Sequence, residues 1–241
     1  MFGALGGCLK LVEKKRSKLA ELDGLLKIRH TVKKLDKGSY LFQEGDAVEA
    51  LYIIREGKVQ IGKVTPEGRE LSLKICATNQ LIGEIRIFSE PANYRLDARA
   101  LEDSSCYRIA LSDLEDELLK NSGLAIAFMK WMGIDQQKTQ TKFRDLLLHG
   151  KKGALYSTLI RLTNSYGVER EDGILIDMVL TNQELANFGG MTREVVNRLL
   201  AELKRNGTIS LHQGKIVVHQ LQLLKDVIHC EECPVYLCRI D

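Results

Sequence analysis

Between residues 38 and 109 apolar residues alternate with polar ones, and this period of two limits the region to short β-strands. The alternating apolar residues are Leu51, Ile53, Val59, Ile61, Leu71, Leu73 and Ile75. Glycines that can turn the chain recur through the same region, at Gly45, Gly57, Gly68 and Gly83. Short strands with such regular turns predict a small antiparallel β-roll or barrel over residues 38–120. The preceding residues 1–37 form a basic segment with a partly helical pattern.

A long helix is predicted to follow the strand region, over residues 121–149. Asn121 or Ser122 can cap its first turn, and the helical period runs to His149. One face is apolar and then partly polar: Leu124, Phe128, Trp131, Met132, Gln136, Thr139, Phe143 and Leu146. A helix of this length between two domains predicts a dimerisation element. The alternative is a helix that packs only within its own subunit.

The pattern over residues 150–226 predicts a helix-turn-helix with appended strands. Thr181 and Glu184 have the spacing of a capping box, in which each side chain binds a free main-chain amide at the start of a helix. A glycine turn at 188–191 follows, and Thr192 can cap a second helix. The segment 209–218 then has the pattern of a β-hairpin. Helix, turn, helix and hairpin together predict a winged helix-turn-helix.

The second of these helices carries side chains that can read DNA bases. The predicted DNA-contacting residues are Thr181, Thr192, Arg193, Glu194, Asn197 and Arg198. An arginine can donate to O6 and N7 of guanine, and a glutamate can accept from N4 of cytosine. The alternative is an ordinary surface ion pair between Glu194 and Arg198, which are four residues apart.

The charge distribution agrees with a polyanionic partner for the C-terminal half. Residues 38–120 hold ten Lys and Arg against fifteen Asp and Glu, whereas residues 138–219 hold twelve against eight. No apolar stretch is long enough to span a membrane, and no secretion signal is evident, so that a cytoplasmic location is expected. No nucleophile–base pair or phosphate-binding loop occurs, which argues against an enzyme.

The tail, residues 227–241, concentrates three of the six cysteines. Cys230, Cys233 and Cys238 have the spacing Cys-x2-Cys-x4-Cys, which suits thiolate ligation of an iron–sulfur cluster or zinc. Both need a fourth ligand, and the candidates are Cys8, Asp135, Asp145, His149 and His229. Incidental thiols and a thiol–disulfide switch are the alternatives. Cys76 and Cys106 stand among apolar residues and are interpreted as core residues.

The chain resembles the cyclic-AMP receptor protein and fumarate–nitrate regulator family in three features. These are the Gly83-Glu84 pair, the long central helix and the run from Thr192 to Arg198. The resemblance covers residues from about 30 to 220. It implies an α+β fold with a cyclic-nucleotide-binding-type β-roll, a dimerisation helix and a C-terminal winged helix-turn-helix. It also implies a homodimer that binds palindromic operators and acts with RNA polymerase. The Arg-Glu-Arg pattern resembles the branch that reads TGTGA-like half-sites.

The resemblance departs from the family at the cyclic-AMP phosphate. The family places an arginine eleven residues after the first glycine of the Gly-Glu pair, and this chain has Tyr94 there, followed by Arg95. A tyrosine cannot neutralise a phosphate, and Arg95, displaced by one residue, is the alternative candidate. Binding of cyclic AMP is therefore not expected.

The tail and the run from Arg144 to Tyr156 resemble the Fnr regulators of Gram-positive bacteria. That resemblance implies a 4Fe–4S cluster held by Cys230, Cys233, Cys238 and an aspartate of the central helix, which matches Asp145. It implies an oxygen-responsive activator of anaerobic genes. A zinc-stabilised or thiol-redox regulator of the same fold remains an alternative, and an electron carrier has no use for a DNA-reading helix.

Overall fold

The computed structural model describes residues 20–84 and 86–241, with side chains from Asp23 onwards. Cys8 and most of the basic N-terminal segment lie outside the described residues. A 3-10 helix at Ala20–Lys27 comes first, followed by twelve strands and six α-helices within the described part of the chain. Among these residues, no helix has both the length and the apolar character needed to cross a membrane.

The first eight strands form an antiparallel roll of two four-stranded sheets. Their order is β1-β8-β3-β6 in one sheet and β2-β7-β4-β5 in the other. The strands are β1 (His30–Leu35), β2 (Tyr40–Phe42), β3 (Ala50–Glu56), β4 (Lys58–Val64), β5 (Glu70–Ala77), β6 (Leu81–Ile82), β7 (Asp97–Ala100) and β8 (Ser104–Ala110). The roll begins before the predicted residue 38, because β1 pairs along its whole length with β8. Two consecutive lysines, the half-buried Lys33 and the exposed Lys34, obscure the alternation of β1 in the sequence.

Two helices follow the roll, α1 (Leu111–Lys120) and the long α2 (Ser122–Leu148). The Asn121 side chain accepts a hydrogen bond from the Leu124 amide at 3.1 Å, which confirms the predicted cap. Leu124 and Phe128 are buried in a core that the roll, α1 and the 3-10 helix share. The prediction that this apolar face contacts a second subunit is therefore wrong for the first half of α2, because there the face packs against the roll of its own subunit.

The C-terminal half contains four helices and a four-stranded sheet. The helices are α3 (Gly150–Tyr166), α4 (Asn182–Phe188), α5 (Arg193–Arg205) and α6 (Leu221–Val227). The sheet has the order β11-β12-β10-β9, with β9 (Gly167–Arg170), β10 (Gly173–Val179), β11 (Ile209–His212) and β12 (Lys215–Val218). Gln213 and Gly214 turn β11 into β12 with φ of +51° and +78°, as a tight hairpin requires. The predicted helix-turn-helix and wing are confirmed.

The two halves meet along β5 and α2. Ile75 of β5 is buried within the apolar core of the C-terminal half. The Asn187 amide of α4 donates to the Glu70 carboxylate of β5 at 2.7 Å. Tyr166 of α3 donates its hydroxyl to the Ile75 carbonyl at 3.4 Å. Strand β5 thus pairs within the roll, while its Ile75 packs in the core of the C-terminal half.

Candidate functional site

The helix predicted to read DNA, α5, presents its polar face to solvent. Arg193, Glu194, Asn197 and Arg198 are exposed. The opposite face is buried in the domain core, through Val196, Leu199, Leu200 and Leu203. This division leaves the first two turns free to enter a major groove.

The two threonines assigned to this surface have different roles. The Thr181 side chain accepts from the Glu184 amide at 3.2 Å, and Glu184 accepts from the Thr181 amide at 2.7 Å, which confirms the capping box. Thr192 occupies the N-cap position of α5 but its side chain accepts no main-chain amide, so the predicted cap is wrong. Hydrogen bonds from its own main chain and from Thr192 lower the pKa of Glu194, which keeps that side chain a carboxylate acceptor.

The cysteine tail folds back against α2 and α3. The Asn164 amide donates to the Cys238 carbonyl at 2.7 Å, and an Arg161 guanidinium nitrogen donates to the Leu237 carbonyl at 3.2 Å. Cys230, Cys233 and Cys238 are all partly buried. They line one small cavity of about 20 Å³ together with Asp145, His149, His229 and residues of α2, α3 and the tail. The fold therefore brings the three predicted thiols and the predicted carboxylate around a single space.

Asp145 is a buried and hydrogen-bonded residue of this cavity. It is only 5% exposed. One carboxylate oxygen accepts from Ser157 at 2.6 Å and from Arg161 at 2.8 Å, and the other accepts from Arg144 at 2.9 Å. Burial acts to raise the pKa of Asp145, but the hydrogen bonds from Ser157 and Arg161 outweigh it and lower the pKa. The group is an ionised, fully hydrogen-bonded carboxylate.

Arg161 was not a sequence prediction, yet it links the parts of the site. It is 2% exposed, and besides Asp145 and Leu237 it donates to Thr141 of α2 at 3.3 Å. In the sequence, Arg161 stands between Leu159 and Leu162 within an apolar helical stretch, and a buried arginine needs a partner of opposite charge. That position is the sequence signal that could have revealed its role.

Arg144 completes the charged rim of the cavity. Its guanidinium pairs with Asp145 and with Glu231 of the tail, and one nitrogen lies 3.8 Å from the Cys233 sulfur. Burial raises the pKa of the Cys238 thiol. In the described part of the chain, no group of three His, Cys, Asp or Glu residues is arranged closely enough to hold a metal ion.

The other candidate fourth ligands differ in whether they line the cavity. Asp135 lies outside the cavity and pairs with Lys74 of β5 at 3.2 Å. His149 and His229 line the cavity, with ring centroids 6.3 Å apart. Cys76 and Cys106 are buried in the roll, as predicted, and burial raises the pKa of each thiol to about 11.

Tyr94 fills the interior of the roll. Its ring stacks on Phe42 with centroids 3.7 Å apart, and its hydroxyl donates to the Ala50 carbonyl at 3.1 Å. Arg95 is exposed, and its main-chain amide donates to Glu84 at 2.6 Å. The residues at the expected phosphate position thus offer an aromatic ring in the core and an arginine on the surface.

The outer face of α2 carries an exposed stripe, called here the α2 seam. Its residues alternate in steps of three and four: Ile126, Met129, Gly133, Gln136, Gln140, Phe143 and Leu147. Ile126 and Phe143 are 50% and 62% exposed. This spacing is the heptad repeat by which two helices pack side by side. The α2 seam shares only Gln136 and Phe143 with the face predicted from sequence, because periodicity alone cannot tell a face that covers its own subunit from one that meets another.

Comparisons with known proteins agree with this division of the chain. The family described as "Cyclic nucleotide-binding domain" matches residues 32–121, and that described as "Crp-like helix-turn-helix domain" matches residues 153–227. The "Anaerobic regulatory protein" of Bacillus subtilis (strain 168) is 50% identical over 223 residues, 92% of this chain and 94% of that protein. A "Global nitrogen regulator" of Nostoc sp. is 29% identical over 192 residues, 78% of this chain and 85% of that protein.

Solved structures show the same fold at lower identity. FixK2 from Bradyrhizobium japonicum superposes with a TM-score of 0.72 at 18% identity, covering 83% of this chain and 98% of FixK2. A CooA mutant from Carboxydothermus hydrogenoformans has a TM-score of 0.71 at 20% identity, covering 85% and 90% of the two chains.

Proposed function

Because this chain belongs to the Crp/Fnr family of transcription regulators, we propose that it is an oxygen-responsive activator of anaerobic genes whose operator binding depends on a 4Fe–4S cluster. The observation that carries the proposal is the convergence of Cys230, Cys233, Cys238 and buried Asp145 on one cavity between α2 and the DNA-binding half. The name of the relative that is 50% identical, an anaerobic regulatory protein, supports the proposed role.

The residues present fit such a cluster by their chemistry. Three thiols are the donors that iron–sulfur clusters prefer, and Asp145 offers an ionised oxygen donor beside them. The Arg144 guanidinium lies 3.8 Å from the Cys233 sulfur, so a positive charge stands beside the proposed ligands. When bound, the cluster would supply a centre that oxygen can oxidise and destroy. Since the cavity has room for about one water molecule, it must widen to admit the cluster.

The position of the site explains how ligation would affect DNA binding. Asp145 belongs to α2, whereas the cysteines follow α6 of the DNA-binding half. Ligands from both would restrict the motion of one against the other, and such a restriction shifts the population towards one arrangement. We take the arrangement with the docked tail as the one that binds the operator.

The α2 seam is the proposed contact between two copies of the chain. Regulators of this family usually act as dimers, and a palindromic operator requires two recognition helices related by a two-fold axis. The seam offers apolar residues at both ends, including Ile126 and Phe143, and polar or small residues in the middle. A homodimer through α2 would present both copies of α5 to successive major grooves.

We expect the Arg198→Ala substitution to weaken binding to a TGTGA-like palindrome by about 1–3 kcal/mol, which is about 5–150-fold. Arg198 is exposed on α5, and its loss removes a guanine contact without disturbing the buried face. Binding to unrelated DNA should change little. Fluorescence anisotropy with both DNAs measures the two constants. Equal losses on both would show that Arg198 contacts phosphates rather than bases.

We also expect no binding of cyclic AMP at micromolar concentration. Tyr94 occupies the roll interior, and Arg95 is turned to the surface, so neither residue offers a buried cation to the phosphate. Isothermal titration calorimetry with the nucleotide tests this directly. A dissociation constant in the micromolar range would contradict the assignment of Tyr94.

The proposed function is tested on the protein purified without oxygen. The visible spectrum and an iron and sulfide assay should give one 4Fe–4S cluster per chain, sedimentation should give a dimer, and operator binding should weaken after exposure to air. Zinc in place of iron, with air-insensitive binding, would establish the zinc-stabilised alternative. Loss of binding through a disulfide, reversed by a thiol reductant in iron-free protein, would establish the thiol-redox alternative.

A further inference from the structure

The last residues of the tail lie beyond the cysteines and are fixed to the end of α3. Ile240 is 2% exposed and belongs to the apolar core of the C-terminal half. Its main-chain amide donates to the Ser165 hydroxyl oxygen at 3.0 Å. Arg239 donates to the Asn164 carbonyl at 2.8 Å. Residues 239–241 are therefore part of the DNA-binding half.

Asp241 joins this anchored segment to the rest of the molecule. One carboxylate oxygen accepts from Ser165 at 2.5 Å and from Arg239 at 2.7 Å. The other accepts from Arg239 at 2.9 Å and from the side-chain amide of Gln80, in the turn between β5 and β6. The Asp241 main-chain oxygen accepts from Lys138 of α2. A single residue thus contacts the roll, α2 and α3.

The electrostatics make these contacts interdependent. Burial acts to raise the pKa of Asp241, but hydrogen bonds and the charge of Arg239 lower it to about 2. Burial lowers the pKa of Lys138, while Asp241 opposes that effect. Asp241 is ionised at neutral pH, and a buried charge is stable only while its partners remain in place. Loss of one partner therefore weakens the hold of the others.

We propose that Arg239, Ile240 and Asp241 form a clasp that holds the DNA-binding half at one position on the β-roll, so that displacement of the tail releases that half. The clasp deepens the proposed function, because it rests on the docked tail being the operator-binding arrangement. Cys238 directly precedes the clasp and is itself held by Asn164. Movement of the cysteine segment is thereby transmitted to Gln80, 161 residues away in sequence from Asp241.

The Gln80→Glu substitution tests the clasp from the roll side, without changing a residue of the cysteine tail. A glutamate keeps the oxygen that accepts from the Ala77 amide, but it opposes the Asp241 carboxylate. We expect amide hydrogen exchange at Ile240 to become about tenfold faster or more in cluster-free protein. Asp241→Ala should have the same effect, and the two changes together should add little. Gln43→Glu, at an exposed residue of the roll, is the matched control.

Operator binding by the anaerobic, iron-loaded protein is the second measurement. With the clasp opened, Gln80→Glu should retain the iron content of the parent and bind the operator about tenfold more weakly. Parent-like exchange at Ile240 would overturn the clasp, and faster exchange with unchanged operator binding would overturn its role in positioning. A parent without iron would contradict the proposed function instead, while exchange in the cluster-free protein would still decide the clasp.

Discussion

The Cys233→Ser protein, purified without oxygen, is expected to contain no 4Fe–4S cluster and to bind the operator about 5–150-fold more weakly than the loaded parent. Cys233 lines the cavity and faces α2, where its sulfur lies 3.8 Å from the Arg144 guanidinium. A serine hydroxyl at this position has nearly the same size but does not form the thiolate that an iron ligand must supply. Both folded halves should persist, because Cys233 is only partly buried.

Three measurements on Cys233→Ser separate ligation from folding. Iron and sulfide analysis reports the cluster, circular dichroism reports the fold, and anisotropy with a palindromic operator reports binding. Cys106→Ala is the matched control, since Cys106 is buried in the roll, distant from the tail, and should leave the iron content unchanged. If Cys233→Ser lacks iron yet binds the operator as tightly as the loaded parent, the proposed coupling of cluster and DNA is wrong.

The Asp145→Ala substitution should reduce stability by about 3–5 kcal/mol even in cluster-free protein. The reason is Arg161, which would keep its buried charge but lose the carboxylate 2.8 Å away. Ser157 would lose its acceptor as well. Urea unfolding of the apoprotein measures this difference. Asp135→Ala is the control, because Asp135 and Lys74 form a partly exposed pair whose loss should cost about 1 kcal/mol or less.

Asp145→Asn distinguishes the structural role of Asp145 from ligation. Asparagine retains an oxygen that can accept from Ser157 and Arg161, so the variant should be more stable than Asp145→Ala. It lacks the charge that favours iron ligation, and we expect a cluster that is absent or altered in its spectrum. A normal cluster in Asp145→Asn would remove Asp145 from the ligand set. An Asp145→Ala apoprotein as stable as the parent would show that Arg161 does not depend on it.

Local signals in the sequence predicted local structure well. The capping box of Thr181 and Glu184, the Asn121 cap and the hairpin at Gln213-Gly214 are each encoded within a few residues, and each is present. Such motifs satisfy main-chain hydrogen bonds whatever the rest of the chain does. The prediction of a Thr192 cap was wrong, because a position at the N-cap does not determine which group the threonine hydroxyl binds.

Long-range contacts could not be predicted from the sequence. Lys142 donates to the Ser72 and Leu73 carbonyls of β5 and lies over the Phe188 ring, 4.9 Å from its centroid. Burial lowers its pKa to about 7. The docking of the tail on Asn164 and Arg161 likewise joins segments more than seventy residues apart. No periodicity or spacing encodes such contacts.

Because strand β5 takes part in both halves of the molecule, the two halves are not independent structural units. Ile75 hydrogen-bonds within the roll through β4 but packs among the apolar side chains of the DNA-binding half. A fragment cut at Gly150 would keep every helix of the helix-turn-helix and yet leave the surface that Ile75 covers bare. The roll alone would in turn expose Ile75 to water. The chain thus matches two family domains, but the DNA-binding half is an incomplete folding unit because part of its apolar core comes from the roll.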